Sequence, residues 1–215
     1  MPDTDSPAAR SRRRRSSPAA NEPAPAEATA PADDAPISEF EAAIRAAAAG
    51  YRFGEVEVPA TIARALEKMG FVTPTEVQAR AIPPLREGKD LIGQAQTGTG
   101  KTAAFGIPII EKIEPSSGYV QALVLTPTRE LCVQVTEEIA RIGQFRGVRA
   151  VAIYGGSSMD RQIEALKRGV PVVVGTPGRV LDLIRRGELR LDRVNTVILD
   201  EADRMLDMGF LPDIR

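Results

Sequence analysis

The spacing of apolar residues divides the chain after residue 50 into alternating helical and extended segments. Apolar residues three and four positions apart predict helices, as at Ile62, Leu66 and Met69. Short apolar runs rich in β-branched residues predict buried strands. On this basis, helices are predicted over residues 58–69, 79–85, 103–107, 130–142, 161–167, 179–186 and 203–208, and strands over residues 90–94, 120–125, 150–154, 171–174 and 194–199.

Strands of this kind, separated by helices, are typical of one particular architecture. Strands that are apolar along their whole length are buried on both sides, and helical connections join parallel neighbours. The sequence therefore predicts an α/β fold with a mostly parallel sheet covered by helices on both faces. Ligands of such domains bind at the carboxyl ends of the strands.

The apolar pattern is missing from the N-terminal part of the chain. Residues 1–36 contain seven of the 17 prolines and no glycine, and they predict a disordered tail. An arginine run at residues 12–15 either contacts RNA or another polyanion or is a solvated charge cluster. Residues 37–50 predict a short helix or linker, and residues 51–215 one globular domain.

Composition excludes several classes of function. The formal net charge is −1, so any nucleic-acid binding must be local. The chain has no histidine, which removes Ser/His and Cys/His catalysis and histidine metal sites. The single cysteine, Cys132, rules out an intrachain disulfide and is expected to be a small buried hydrophobe. With no membrane-spanning run and no export signal, the expected location is cytoplasmic.

Residues 95–102, AQTGTGKT, follow a predicted strand and predict a phosphate-binding loop. Gly98 and Gly100 allow backbone N–H groups to converge on a phosphate at a helix N-terminus. Lys101 would bind the β- and γ-phosphates of ATP, and the Thr102 hydroxyl would ligate Mg²⁺. The alternative is a surface turn rich in glycine and threonine.

An acidic tetrad, residues 200–203, follows the last predicted strand directly. In a phosphate-loop enzyme this position suits Asp200 to hold Mg²⁺ and Glu201 to orient the attacking water. The alternative is an acidic first turn that stabilises the following helix. The phosphate loop upstream favours the catalytic interpretation, with Lys101, Asp200 and Glu201 as its residues.

Five motifs occur in the order found in one known family. They are AQTGTGKT (residues 95–102), PTREL (residues 127–131), YGG (residues 154–156), TPGR (residues 176–179) and DEAD (residues 200–203). In this order the chain resembles the N-terminal RecA-like domain of DEAD-box ATP-dependent RNA helicases, over residues 53–215. Ala95, which departs from the generic phosphate-loop pattern, is the residue that this family carries.

The resemblance implies which residues contact ATP. GFVTPTEVQ, residues 70–78, is similar to the adenine-reading motif of the family, and the Gln78 amide matches the adenine N7 and N6 groups. Phe53 either stacks on the adenine or packs in the core. The expected nucleotide contacts are Phe53, Thr73, Gln78, Gln96, Thr97, Gly98, Thr99, Gly100, Lys101 and Thr102.

The motifs PTREL, YGG and TPGR each begin where a predicted strand ends, so these three motifs share one edge of the sheet. Each alone is also compatible with an ordinary turn before a helix. The resemblance implies that together they bind single-stranded RNA through its backbone, without sequence preference. The implied RNA contacts are Pro127, Thr128, Arg129, Gly155, Gly156, Thr176, Pro177, Gly178 and Arg179.

The family also has parts that this sequence lacks. They are the Ser-Ala-Thr motif and a second RecA-like domain with arginine fingers, so the chain alone is expected to bind nucleotide weakly and hydrolyse it poorly. One alternative is a non-catalytic nucleotide- or RNA-binding module or an inhibitor. Another is a DNA translocase or a different P-loop ATPase.

One missing strand affects the expected fold. In domains of this family, the strand before the Ser-Ala-Thr motif lies between the phosphate-loop strand, residues 91–94, and the strand that ends at Leu199. These two strands are therefore expected to face a gap or to pair with each other. Either outcome leaves groups without partners and predicts a partly unfolded or aggregation-prone chain.

Overall fold

The computed structural model describes residues 51–96 and 98–214, so the predicted tail and the helix at residues 37–50 lie outside the described part. The described chain opens with an antiparallel hairpin of β1 (Tyr51–Phe53) and β2 (Val56–Val58). Gly54 turns the hairpin with a φ of 60°. The helical and strand patterns above did not predict this element, although Gly54 between short apolar segments is a hairpin signal.

Helices and strands then alternate along the chain. The helices are α1 (Ala60–Lys68), α2 (Glu76–Arg86), α3 (Lys101–Lys112), α4 (Arg129–Gly143), α5 (Met159–Lys167), α6 (Pro177–Arg185), α7 (Ala202–Asp207) and α8 (Leu211–Ile214), with a 3-10 turn at Gln144–Arg146. The strands are β3 (Ala122–Leu125), β4 (Ala150–Ile153), β5 (Val172–Gly175) and β6 (Thr196–Leu199). Most predicted elements are confirmed, with ends that differ by a few residues.

Strands β3 to β6 form one sheet in the order β4-β5-β3-β6, and every pair is parallel. Leu123 aligns with Val173 on one side and Val197 on the other. Because all four strands run in one direction, the residues that follow them meet at one edge. The predicted parallel sheet is confirmed.

Alternate residues of the strands enter two separate cores. Ala122, Val124 and Val174 face a cluster formed with α1 to α4. Leu123 and Val173 face a second cluster, which includes residues of α5 to α8. Strands β3, β4 and β5 are thus covered on both faces, which explains why they are apolar throughout, whereas alternate residues of β6 are exposed.

Cys132 lies in the first of these cores, on α4. Its side chain is fully buried, and its thiol donates to the backbone oxygen of Val174 at 3.2 Å. Burial raises the pKa of the Cys132 thiol to about 12. The expectation of a small buried hydrophobe is confirmed, since a thiol with this pKa carries no thiolate at neutral pH.

The strand predicted over residues 90–94 is wrong. Residues 91–96 form no strand, and Leu91 and Ile92 are exposed. Strand β6 has β3 as its one neighbour in the described sheet. A strand forms where an adjacent strand shares its backbone hydrogen bonds, and residues 91–94 have no such neighbour within the described part of the chain. Of the two expected outcomes, the structure therefore shows a gap beside β6 and no direct pairing with residues 91–94.

Candidate nucleotide site and nucleic-acid interface

The phosphate loop connects this irregular segment to the start of α3. Gly98 and Gly100 both take a positive φ, 80° and 81°, which other residues rarely adopt. Gly100 is the residue before the first turn of α3, so the backbone N–H groups of that turn begin at the loop. The Lys101 ammonium donates to the backbone oxygen of Ala95 at 2.9 Å and folds back across the loop.

Other predicted nucleotide contacts lie on the same loop. Thr99 donates from its hydroxyl to the backbone oxygen of Gln96 at 2.7 Å. Thr102 lies in the first turn of α3, next to Lys101. Thr97 is outside the described residues. The loop is thus held by its own side chains. The N-terminus of α3, which is the positive end of its dipole, lies beside Asp200 at the carboxyl edge of the sheet.

Gln78 is bonded to the phosphate loop rather than exposed. Its side chain is 2% exposed, accepts from the backbone N–H of Thr75 at 2.9 Å, and donates to the backbone oxygen of Gly100 at 3.1 Å. The Thr75 hydroxyl donates to the backbone oxygen of Thr99 at 2.8 Å. The start of α2 therefore supports the loop, with both polar ends of the Gln78 amide in use.

Gly100 leaves room for this close approach, since a side chain at position 100 would displace the Gln78 amide. A Cβ at position 100 would lie 2.2 Å from Nε2 of Gln78, much closer than two non-bonded atoms can come. The glycine therefore serves two purposes, the positive φ and the space for the amide. The sequence predicted the first purpose alone, because the second depends on a residue 22 positions earlier.

Phe53 and Thr73 occupy different environments. Phe53 ends β1, is 4% exposed and belongs to the first core. This burial favours the packing alternative for its ring over stacking on a base. Thr73 is exposed in the loop before α2.

The two predicted catalytic carboxylates follow β6 directly. Asp200 is buried, and burial raises its pKa above the usual range, while Lys101 lowers it and Glu201 raises it. Glu201 has a φ of 51°, the one positive φ among the described residues other than glycine. Its carboxylate pairs with Arg204 at 3.1 Å. Asp200 and Lys101 therefore share one site, and the strained backbone at Glu201 is typical of a functional turn.

A third carboxylate, Glu138 of α4, reaches the same site. Burial raises its pKa, an interaction with the Thr102 hydroxyl and the charge of Arg141 lower it, and Asp200 raises it. Sequence motifs did not indicate Glu138. The available signal was its position on the inward stripe of α4, three residues after Val135.

These groups line one open cleft of about 1010 Å³. It contains Gly98, Lys101 and Thr102 on one side and Asp200 and Glu201 on another. A hydroxyl (Thr102) and a buried carboxylate (Asp200) that line one cleft form a donor set that Mg²⁺ uses together with phosphate oxygens and water. Within residues 51–96 and 98–214, no group of three or more His, Cys, Asp or Glu side chains forms a metal site by itself.

The three motifs that the resemblance predicts to bind RNA lie at the same edge of the sheet, after β3, β4 and β5. Thr128 caps α4 by accepting from the N–H of Leu131 at 3.2 Å. The Arg129 guanidinium lies 4.9 Å from the centre of the buried Tyr154 ring, so the PTREL and YGG motifs touch. Pro177 opens α6 after Thr176, a favoured first helical position.

The polar and small residues of these loops differ in exposure. Gly155, Gly156 and Gly178 are exposed, Arg179 is partly buried and Pro127 is buried. Gly156 has a φ of 77°. The exposed glycines present backbone groups without side chains, which allows close approach of another chain.

Comparison with known proteins agrees with these motifs. Residues 75–215 match the family model described as DEAD/DEAH box helicase. The DEAD-box ATP-dependent RNA helicase CshA of Geobacillus kaustophilus is 56% identical over 162 residues, which are 75% of this chain and 35% of that protein. CshA of Bacillus subtilis is 53% identical over 162 residues, 75% of this chain and 33% of that protein. The chain thus spans about a third of the length of these relatives.

Solved structures give the same answer. A DEAD box protein from Methanococcus jannaschii superposes with a TM-score of 0.72 and 44% identity, over 77% of this chain and 46% of that chain. A hypothetical ATP-dependent RNA helicase from Sulfolobus tokodaii superposes with a TM-score of 0.66 and 44% identity, over 72% of this chain and 44% of that chain. Among the described residues, no helix is long and apolar enough to cross a membrane. With its motifs at one sheet edge and its family model matched over residues 75–215, the chain belongs to the DEAD/DEAH box helicase family.

Proposed function

We propose that this chain binds ATP with Mg²⁺ and the backbone of single-stranded RNA, and that the longer protein couples ATP hydrolysis to RNA unwinding or ribonucleoprotein remodelling. The observation that carries the proposal is that Lys101, Thr102 and the buried Asp200 line one cleft, at the edge where three further loops converge. A cation beside a carboxylate at a helix N-terminus suits a magnesium-bound triphosphate.

Each polar group of the cleft has a proposed task. Lys101 would leave the Ala95 oxygen and bind the β- and γ-phosphates, while Thr102 and Asp200 would hold Mg²⁺. Bound Mg²⁺ would neutralise charge on those phosphates. Glu201 would orient the attacking water, and the backbone N–H groups after Gly98 would bind phosphate oxygen.

The self-contained hydrogen bonding of the site favours a second candidate. Lys101, Gln78 and Glu201 are each engaged within the chain, with Ala95, Gly100 and Arg204 respectively. Breaking these contacts costs binding free energy, so a non-catalytic nucleotide- or RNA-binding module with weak affinity is the alternative. RNA-stimulated ATP turnover, measured with and without a second RecA-like domain, separates the two. A DNA translocase would favour DNA over RNA of equal sequence in competition.

The first prediction is that Lys101→Ala abolishes binding of magnesium-bound ATP and leaves the fold intact. Lys101 makes one hydrogen bond, within the loop, so its loss removes the phosphate cation with little effect on packing. Isothermal titration and a thermal melt measure the two effects. The matched control is Lys112→Ala at the other end of α3, where the ammonium donates to the backbone oxygen of Leu85 at 2.7 Å.

Affinity in Lys101→Ala equal to that of the unmodified chain would contradict the nucleotide site. A similar loss in Lys112→Ala would also contradict it, because that lysine lies away from the proposed phosphates. The expected pattern is loss of nucleotide binding in the first variant alone, with both variants melting as the unmodified chain does.

A further inference from the structure

Helix α5 carries one buried polar side chain, Gln162, near the carboxyl edge of the sheet. It is 2% exposed and is the single residue of α5 that is buried. Apolar residues of the same helix, including Ile163 and Leu166, are only partly buried against the second core. A buried amide needs partners for its donors and its acceptor, because unpaired groups cost free energy. The partners of Gln162 therefore indicate its role.

Gln162 joins two of the loops that are proposed to bind RNA. Its Nε2 donates to the backbone oxygen of Tyr154 at 3.0 Å and to Oγ of Ser157 at 2.6 Å. Its Oε1 accepts from Nη1 of Arg179 at 3.3 Å. Nη1 of Arg179 also donates to the backbone oxygen of Ser157 at 3.3 Å. These four bonds connect the YGG turn to the first turn of α6.

We propose that Gln162 is a positioning residue for RNA binding, which holds the Arg179 guanidinium and the exposed glycines of the YGG turn in one relative orientation. This inference rests on the proposed RNA function. Both bonds that Arg179 makes within the described part of the chain use Nη1, which leaves Nε and Nη2 for a phosphate oxygen. The hydrogen bonds of Nη1 thus orient the guanidinium, and its Nε and Nη2 groups remain as donors.

The chemistry of this position requires an amide. Gln162 donates twice and accepts once, a pattern that neither a carboxylate nor an apolar side chain provides. A carboxylate at position 162 would pair with Arg179 but would oppose the backbone oxygen of Tyr154. A methionine would fill the volume and lose every bond.

A purely structural role is the competing explanation, and Gln121 provides the matched control. Gln121 is 5% exposed, donates to the backbone oxygen of Glu114 at 2.8 Å and to Oγ of Ser117 at 2.6 Å, and accepts from the N–H of Glu114 at 3.0 Å. It precedes β3, at the end of the sheet opposite the RNA loops. Gln121→Met and Gln162→Met therefore remove equivalent bonds at opposite ends.

The experiment uses the full 215-residue chain and a fluorescent oligouridylate, with anisotropy measured at several salt concentrations. Both methionine variants are expected to lower the melting temperature by similar amounts. Gln162→Met alone is expected to weaken RNA binding, by about tenfold, and to reduce the salt slope by about 0.7, the value for one phosphate contact on a single strand. Affinity for ATP is expected to be unchanged in both variants.

A double variant separates positioning from other effects on RNA. If Gln162 acts in part through Arg179, then Gln162→Met produces a smaller loss of RNA affinity in Arg179→Ala than in the unmodified chain, because only its bonds to Tyr154 and Ser157 remain to be lost; equal losses in the two backgrounds would show that Gln162 does not act through Arg179. Gln162→Glu replaces Gln162→Met if the latter does not melt cooperatively, and it is again expected to weaken RNA binding.

Three results would overturn the inference. Unchanged RNA affinity in the Gln162 variants, with the unmodified chain binding RNA, would reject the positioning role alone. Equal RNA losses in Gln121→Met would assign the effect to stability. Failure of the unmodified chain to bind RNA would reject the proposed RNA function and this inference with it.

Discussion

Gln78 is the residue whose structure changes its interpretation most. Its amide, expected to read adenine, spans from the Thr75 N–H to the Gly100 oxygen. A single neutral hydrogen bond contributes about 1 kcal/mol, enough to bias the loop between two positions. Gln78 therefore has a loop-positioning role in this structure, and the second N–H of Nε2 and the second lone pair of Oε1 are the groups left for base reading.

The second prediction tests both roles of Gln78. In Gln78→Ala, affinity for GTP is expected to fall because the loop loses a contact. Affinity for ATP is expected to fall further, since a bidentate base contact is worth about 1–3 kcal/mol. Titration with both nucleotides measures the preference. The control is Thr75→Val, which removes the hydroxyl bond to the Thr99 oxygen and no base contact, so it should lower the affinities for ATP and GTP equally. If Gln78→Ala also lowered the two affinities equally, Gln78 would position the loop without reading the base.

Asp200 illustrates a cost of function at one residue. Burial raises its pKa, so the ionised form is destabilised in the folded chain relative to the unfolded one. The contribution of Asp200 to stability is therefore fully present below its ordinary pKa and is lost as the pH rises through the raised value. Burial also raises the pKa of Glu138, so its contribution to stability is lost in the same direction, as the pH rises.

The third prediction follows from this loss of stability, caused by ionised Asp200, as the pH rises. Asp200→Asn is expected to raise the melting temperature at pH 7 by removing a buried charge, and to abolish magnesium-dependent ATP binding. The gain should shrink as the pH falls toward about 4, where the unfolded aspartate is about half protonated and the folded one, with its raised pKa, is protonated to a larger extent. Thermal melts across this range measure it, with the exposed Asp203→Asn as control. A gain of equal size at pH 4 and pH 7 would show that the charge of Asp200 is not the cause.

At the scale of elements, β6 is the weak point of the sheet. Its Val197 is 57% exposed, and Leu199 is also exposed, on the side that faces the second core in the neighbouring strands. The backbone on its outer side has no strand partner in the described sheet. An exposed apolar strand edge is a template for pairing with another chain.

The fourth prediction concerns this edge. Val197→Lys is expected to reduce self-association of the chain at high concentration, because a charge on an edge strand opposes edge-to-edge pairing. Light scattering across a concentration series measures it. Val72→Lys makes the same change of charge at an exposed valine outside any strand, so it should leave self-association unchanged. Equal scattering from Val197→Lys and the unmodified chain would mean that the β6 edge does not mediate association.

At the scale of the whole molecule, the chain spans about a third of the matched CshA proteins. Its cleft, lined in part by Asp200 and Glu201, is open to solvent. We expect full turnover only where a second RecA-like domain closes over this cleft, since water must be excluded from a phosphoryl-transfer site.

The fifth prediction is therefore made for a two-domain protein that contains this chain. Glu201→Gln is expected to retain ATP and RNA binding and to lower ATP turnover by several orders of magnitude, because it removes the carboxylate that positions water. Steady-state phosphate release measures turnover. Arg204→Gln removes only the ion-pair partner of Glu201 and should leave turnover near normal. Near-normal turnover in Glu201→Gln would place the base elsewhere.

The sequence by itself determined most helices and strands of the parallel α/β part of the chain and their order. Strands such as β3 and β5 were predictable because burial on both faces leaves an uninterrupted apolar run, and helices such as α4 because their apolar stripe repeats every three or four residues. Parallel strands with helical connections place the residues after each strand at one edge. The clustering of Asp200 with the phosphate loop and the RNA motifs followed from that rule.

Tertiary structure alone decided the contacts between distant residues. The bond from Gln78 to Gly100, the approach of Glu138 to Thr102, and the link from Gln162 to Arg179 each join separate elements. No local pattern encodes them, because side-chain partners depend on how elements pack. The strand predicted at residues 90–94 failed for the same reason: its apolar residues favour a strand, but a strand forms only where a neighbour supplies hydrogen bonds.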